Sequence, residues 1–140
     1  KYISKTITLD DGQDAEDLIV FLSAYRPPSN SAIENDIKVW MKVKNADDPT
    51  PFDQRPWMEM NGDNTEFSSL DNDGDFIGIQ FNVDPSNLNG SEIVSYTTEI
   101  DGTPVTLSTF KQYQIKIGLV GGNSAIVPRV GDLRAIALQK

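Results

Sequence analysis

Hydrophobic and polar residues alternate along most of this chain. The clearest stretch is residues 37–44, where the odd positions are Ile37, Val39, Met41 and Val43 and the even positions are Lys38, Trp40, Lys42 and Lys44. A period of two residues is typical of a β-strand with one buried face. The same alternation occurs in residues 76–83 and 113–120, and no stretch keeps a helical period over ten residues. These patterns predict an all-β chain.

Shorter or less regular segments add further strands. They are residues 3–9, 18–25, 56–60, 93–100, 103–107 and 133–138. The segment 18–25 begins as an unbroken apolar run, which predicts a strand covered on both faces. Asp101-Gly102 favours a tight hairpin turn, and Pro104 predicts that the strand after this turn lies at a sheet edge.

Short strands with regular turns predict one antiparallel β-sandwich of eight to nine strands, in preference to a closed barrel. Residues 1–140 form one domain in this interpretation. Because the first residue is Lys1 rather than Met, we expect the domain to be a segment of a longer chain.

Composition narrows the possible functions. The chain has no histidine and no cysteine, with 12 basic and 21 acidic residues and a net charge of −9. It therefore lacks the residues of Ser-His-Asp and Cys-His catalytic systems, the His and Cys ligands of zinc and haem sites, and the cysteines of disulfides. A strongly negative charge argues against binding to nucleic acid or to an anionic membrane. We predict no cofactor, no nucleic-acid partner and no membrane insertion.

Acidic residues concentrate in two connections. One holds Asp10, Asp11, Asp14, Glu16 and Asp17, and the other holds Asp47, Asp48 and Asp53. The first interpretation is solubility of a loop-rich protein. The alternative is a partner with a basic surface.

Two groups of carboxylates suggest chemistry. Asp71, Asp73 and Asp75 alternate as in a calcium loop, but the EF-hand pattern fails because Phe76 replaces its glycine. A solvated turn is the preferred interpretation, with calcium as the alternative. Paired carboxylates for glycoside hydrolysis would have to come from residues such as Asp53, Glu59, Asp84 and Glu99. Nothing in the sequence marks one pair, so we predict that the chain is not an enzyme.

Two tryptophans are the candidate contact residues. Trp40 shares its strand face with lysines, and Trp57 follows Asp53, Arg55 and Pro56. An aromatic ring beside charged groups can stack on a sugar. The alternatives are that Trp57 fills the end of the core, and that Trp40 covers a sheet edge or contacts another chain.

Three stretches of the sequence carry a resemblance. They are residues 2–27, with Asp14-Ala15-Glu16-Asp17-Leu18; residues 36–60, with the alternating strand and Pro56-Trp57; and residues 110–138, with Val127-Pro128-Arg129-Val130 and Asp132-Leu133-Arg134-Ala135. Together they resemble β-sandwich modules in large virion structural proteins of contractile-tailed phages, those of marine cyanobacteria in particular. Their order is also similar to that of discoidin-type, galactose-binding-like sandwiches. Residues 62–109 match least.

The resemblance implies a non-enzymatic structural module of a phage tail, baseplate or tail fibre. Its partners would be other virion subunits, including copies of itself, and it would fold in the host cytoplasm before entering the virion. The alternative function is a carbohydrate-binding module for host-surface recognition. A jelly-roll or discoidin-like sandwich is the expected fold.

Overall fold

The computed structural model describes residues 1–25, 36–62, 77–90, 92–120 and 129–139. These residues form two antiparallel sheets, and the all-β prediction is confirmed. The sandwich type stays a prediction. The described strands are β1 (Tyr2–Ile3), β2 (Ile7–Thr8), β3 (Asp17–Tyr25), β4 (Asp36–Lys44), β5 (Met58–Gly62), β6 (Ile77–Val83), β7 (Leu88–Asn89), β8 (Ile93–Ile100), β9 (Thr103–Ser108), β10 (Gln112–Val120) and β11 (Arg129–Leu138).

The larger sheet has eight strands and curls into a half-barrel. Its strand order is β1-β10-β4-β5-β6-β3-β11, and β2 also pairs with β10. The smaller sheet has the order β7-β8-β9. Among the described residues no helix is long and apolar enough to cross a membrane.

One hydrophobic core collects the inward side chains of both sheets. Alternate residues of β3, β4, β6 and β10 are buried in it, and Val94 of the smaller sheet joins them. Phe110, fully buried just before β10, packs edge-on against Tyr113 with the ring centres 5.9 Å apart. The alternation in the sequence therefore becomes the inner and outer faces of the sheet.

The prediction that the third strand is covered on both faces is wrong. Leu18, Val20 and Leu22 of β3 are buried, but Phe21 is 37% exposed on the opposite face. The apolar run therefore buries its side chains on only one face of the sheet.

The hairpin predictions are confirmed. Asp101 and Gly102 have φ angles of 53° and 78°, both in the left-handed region that this turn requires. The turn joins β8 to β9, and Pro104 lies on β9, an edge strand of the smaller sheet.

Candidate functional site

The outer face of β4 and β10 carries the two tryptophans of the chain. Register pairs Trp40 of β4 with Lys116 of β10 on one side and with Glu59 of β5 on the other. Trp57 precedes β5, and Phe52 lies in the 3₁₀ helix Phe52–Gln54 just before it. Because the odd residues of β4 fill the core, its even residues are left on this outer face.

Lysine ammonium groups lie over the aromatic rings. The Nζ atom of Lys116 is 4.5 Å from the ring centre of Trp40 and 4.7 Å from that of Trp57. The Nζ atom of Lys42 is 4.6 Å from Trp57 and 5.5 Å from Phe52. These distances are within the range of cation–π attraction. We call Trp40, Lys42, Phe52, Trp57 and Lys116 the indole–lysine cluster.

The cluster is partly covered. Trp40, Trp57 and Phe52 are half-buried, whereas Lys42 is only 7% exposed. Gly118 allows the close approach of Trp40, because a Cβ atom there would lie 2.7 Å from the indole ring. A side chain at position 118 would therefore push the ring away.

The electrostatics of the cluster are unbalanced. Within the described part of the chain, no carboxylate lies within 4.0 Å of the Nζ atoms of Lys42 or Lys116. Burial lowers the pKa of Lys116, and the positive charges of Lys1 and Lys42 lower it further. The nearest acidic residue by register, Glu59, instead pairs with Lys38 at 3.7 Å. The outer face of β4 and β10 thus carries a local excess of positive charge, although the protein as a whole is acidic.

Trp40 and Trp57 are separate candidates in the sequence, and in the structure both indole rings lie against the ammonium group of Lys116. Trp57 does not belong to the hydrophobic core. The roles of Lys42, Lys116 and Phe52 were missed, although the alternation already placed Lys42 on the face of Trp40. The pairing of β10 with β4 could not be read from either strand alone.

A second polar cluster joins the two sheets and was also missed. The Tyr96 hydroxyl donates to Asp48 Oδ2 at 2.7 Å and accepts a hydrogen bond from the Asn45 backbone at 2.8 Å. Arg55 lies 3.8 Å from the centre of the Tyr96 ring, and its Nε is 3.5 Å from Asp48. Asn45 Nδ2 donates to the carbonyls of Ser108 and Thr109. We call Asn45, Asp48, Arg55 and Tyr96 the inter-sheet network.

The inter-sheet network is closed, in the sense that its two charged residues, Asp48 and Arg55, have their hydrogen-bond and ion-pair partners within the chain. Burial acts to raise the pKa of Asp48, but hydrogen bonds from Thr50 and Tyr96 and the charge of Arg55 outweigh it and lower the pKa. Burial is also the main cause that raises the pKa of Tyr96 to about 12. Asp48 is 3% exposed, so the interpretation of this residue as a solubilising loop charge is wrong. The polar groups of the inter-sheet network instead bind to one another and hold the two sheets together.

The candidate carboxylates for catalysis are spread over separate elements. Asp53 lies in the 3₁₀ helix, Glu59 on β5 and Glu99 on β8. Asp84 caps the 3₁₀ helix Pro85–Asn87, and hydrogen bonds from Ser86 lower its pKa. Asp71, Asp73 and Asp75 lie outside the described residues. In the described part of the chain, no group of three acidic residues is arranged to hold a metal ion.

Comparison with known proteins brings no match. No family model fits the sequence, and no curated protein or solved structure is significantly similar to it. The resemblance to virion modules and to discoidin-type domains therefore stays a prediction, and the site has to be interpreted from its own chemistry.

An apolar cavity of about 350 Å³ lies between β10 and β11. Its wall includes Tyr2, Ile117, Leu119, Val130 and Leu133. Tyr2 and Leu119 are 53% and 41% exposed. The cavity offers hydrophobic surface but few groups that would orient a ligand.

Proposed function

We propose that this chain is a non-enzymatic structural and assembly module that binds a partner protein through the indole–lysine cluster. The observation that carries the proposal is the convergence of Trp40, Trp57, Lys42 and Lys116 on the outer face of one sheet. Half-buried tryptophans are frequent at the centres of protein interfaces, where they contribute much of the binding energy.

The surrounding sheet suits such a role. β4 pairs with β10 over nine consecutive residue positions, and its other edge pairs with β5. Side chains on paired strands are held in fixed relative positions, so a partner meets a surface that needs little ordering. The cluster is therefore a preorganised contact surface.

The placement of the acidic residues supports a binding role over hydrolysis. A glycosidase needs two carboxyl groups that face each other across about 5 to 9.5 Å, one of them with a raised pKa. Glu59 is exposed beside Lys38, Glu99 is exposed on the smaller sheet, and the pKa of Asp84 is lowered. None of these three has the surroundings of a general acid.

The resemblance of the sequence supplies the biological context of the proposal. It favours a module of a phage tail, baseplate or fibre, whose partners would be other virion subunits or further copies of the chain. A reducing host cytoplasm as the folding compartment is compatible with a chain that has no cysteine.

Oxidative footprinting tests the assembly role. Hydroxyl radicals would be applied to the free chain and to the assembly purified from its natural source, and oxidation of Trp40 and Trp57 would be measured by mass spectrometry. We expect both indoles to react in the free chain and to be protected in the assembly. Phe21, on the outer face of β3, is the internal control. Equal oxidation of both tryptophans in the two samples would contradict the proposal.

Carbohydrate binding is the second candidate, because two indoles and polar groups do lie together. The ring faces argue against it: ammonium groups already lie 4.5–4.7 Å from both indole centres, where a sugar would stack. We expect a screen of neutral glycans to give no binding at micromolar concentrations. Micromolar binding that is lost in a Trp57→Ala variant would favour the carbohydrate function instead.

A further inference from the structure

The ammonium group of Lys42 has an unusual environment. The residue is 7% exposed, and its Nζ lies against the rings of Trp57 and Phe52. Within the described ranges it has neither a carboxylate partner nor a hydrogen-bond acceptor. A buried charge is costly unless it is paired and hydrogen-bonded, and aromatic rings replace only part of its hydration. Among the described residues, nothing uses the hydrogen-bonding capacity of this buried donor.

Lys116 provides a second positive charge at the same place. Both ammonium groups lie within 4.7 Å of the Trp57 ring centre. The lowered pKa of Lys116 reflects burial first and then repulsion by Lys1 and Lys42. A carboxylate that reaches this position would attract both lysines and relieve their mutual repulsion.

We propose that the indole–lysine cluster is a docking site for an acidic protein segment, whose Asp or Glu carboxylates pair with Lys42 and Lys116. This inference rests on the proposed assembly function and names the chemistry of the partner. The indoles would cover the apolar stems of the acidic side chains and exclude water, which strengthens the charge-assisted hydrogen bonds.

Three arguments favour a short acidic segment over other ligands. A neutral sugar would compete with the ammonium groups for the indole faces. A long polyanion such as nucleic acid would be repelled by the net charge of −9 on the whole chain. The two lysines that lie against the Trp57 ring match a few carboxylates rather than an extended row of phosphates.

The chain itself contains a segment of suitable chemistry. Asp10, Asp11 and Asp14 all act on Lys111, and Asp11 forms an ion pair with it. Three carboxylates around one ammonium leave an excess of negative charge. A synthetic peptide with the sequence of residues 8–17, Thr-Leu-Asp-Asp-Gly-Gln-Asp-Ala-Glu-Asp, is therefore a natural probe. Its matched control replaces every Asp with Asn and the Glu with Gln.

Intrinsic fluorescence gives a direct readout, since the only two tryptophans of the chain both belong to the cluster. The full 140-residue chain would be titrated with each peptide at low and high salt. We expect the acidic peptide to give a saturable change that weakens with salt, and the amide peptide to give none. Lys42→Met and Lys116→Met should each weaken binding about tenfold or more, whereas Lys5→Met, an exposed control with the same change in charge, should leave it unchanged.

Circular dichroism would confirm that each variant is folded. Lys116, which is half-buried rather than buried, keeps the test valid if Lys42→Met does not fold. The inference is overturned if the acidic peptide gives no response at millimolar concentration, if the amide peptide binds equally well, or if an oligogalacturonate binds where the acidic peptide does not. Protection of Trp40 and Trp57 in the footprinting experiment is independent of these results, so the assembly function can stand if the acidic partner fails.

Discussion

Within the part of the chain that the structure describes, cations lie over aromatic rings in two places, and the two places differ in one respect. In the inter-sheet network Arg55 lies on Tyr96, with Asp48 beside it and the carbonyl of Val43 accepting from its Nε at 3.2 Å. In the indole–lysine cluster Lys42 and Lys116 lie on indoles without a carboxylate among the described residues.

This difference distinguishes a site that stabilises the fold from the binding site that we propose. A buried cation that has its anion and its acceptors within the chain stabilises the fold only as long as every partner remains. A cation whose described neighbours are aromatic rings and no anion keeps hydrogen-bonding capacity for another molecule. The choice of residue fits this division, because the planar guanidinium suits fixed, multiple contacts and the lysine ammonium is a mobile point charge.

The largest expected effect follows from removing the anion of the inter-sheet network. Asp48→Ala leaves Arg55 buried without its carboxylate, and we expect a loss of about 3–5 kcal/mol in the free energy of unfolding. Urea denaturation would measure it. Asp47→Ala, which removes an exposed neighbouring charge, should change stability by less than about 0.5 kcal/mol. A loss below about 1 kcal/mol for Asp48→Ala would mean that the network is not closed as described.

Removal of one hydroxyl should have a smaller effect. Tyr96→Phe keeps the ring under Arg55 but deprives Asp48 of a donor and the Asn45 amide of its acceptor. Unsatisfied buried groups of this kind cost about 1–3 kcal/mol. Tyr2→Phe, at a residue 53% exposed, is the matched control and should be neutral. If the two variants have the same urea midpoint, the hydroxyl of Tyr96 does not support the network.

Acid should weaken the network without any mutation. Because the folded chain lowers the pKa of Asp48, the ionised carboxylate stabilises the fold fully above the ordinary pKa of aspartate. That contribution is lost as the pH falls through the lowered value. Unfolding free energies between pH 6 and pH 2.5 should therefore decline less steeply in Asp48→Asn than in the wild type. Parallel curves would show that Asp48 does not contribute to acid sensitivity.

The smallest stability effect is expected at the indole–lysine cluster. Lys42→Met keeps most of the length of the side chain and removes a buried charge that has no carboxylate partner among the described residues. We expect a change of less than about 1.5 kcal/mol, in either direction. Arg55→Met, the equivalent change in the closed network, should cost clearly more. Equal losses in the two variants, measured by urea denaturation, would remove the distinction between the two sites.

Local patterns in the sequence predict much of this fold. The alternation in residues 37–44 corresponds to β4, and Asp101-Gly102 forms the predicted turn because few residues accept two successive positive φ angles. The error in β3 has a physical cause, since apolar residues such as Phe21 can occupy a solvent-facing position of a strand at modest cost.

The two polar clusters could not be predicted in the same way. Asp48 and Tyr96 are 48 residues apart, and Trp40 meets Lys116 only through the pairing of β4 with β10. Such contacts depend on strand order, which no local pattern encodes. The half of the site that could be predicted, Trp40 with Lys42 on one strand face, is the half that lies within a single strand.

The pairing of β3 with β11 has a consequence for how quickly the chain folds. Asp17 lies opposite Leu138, and this pairing continues to Tyr25 opposite Arg129. More than a hundred residues separate these two strands in the sequence, and closing such a long loop is slow compared with forming a helix or a hairpin. β3 can pair with β6 earlier, but the hydrogen-bonding groups along its other edge stay unpaired until β11 is in place. During synthesis on the ribosome, that open edge is exposed to unwanted strand pairing until β11 has been made.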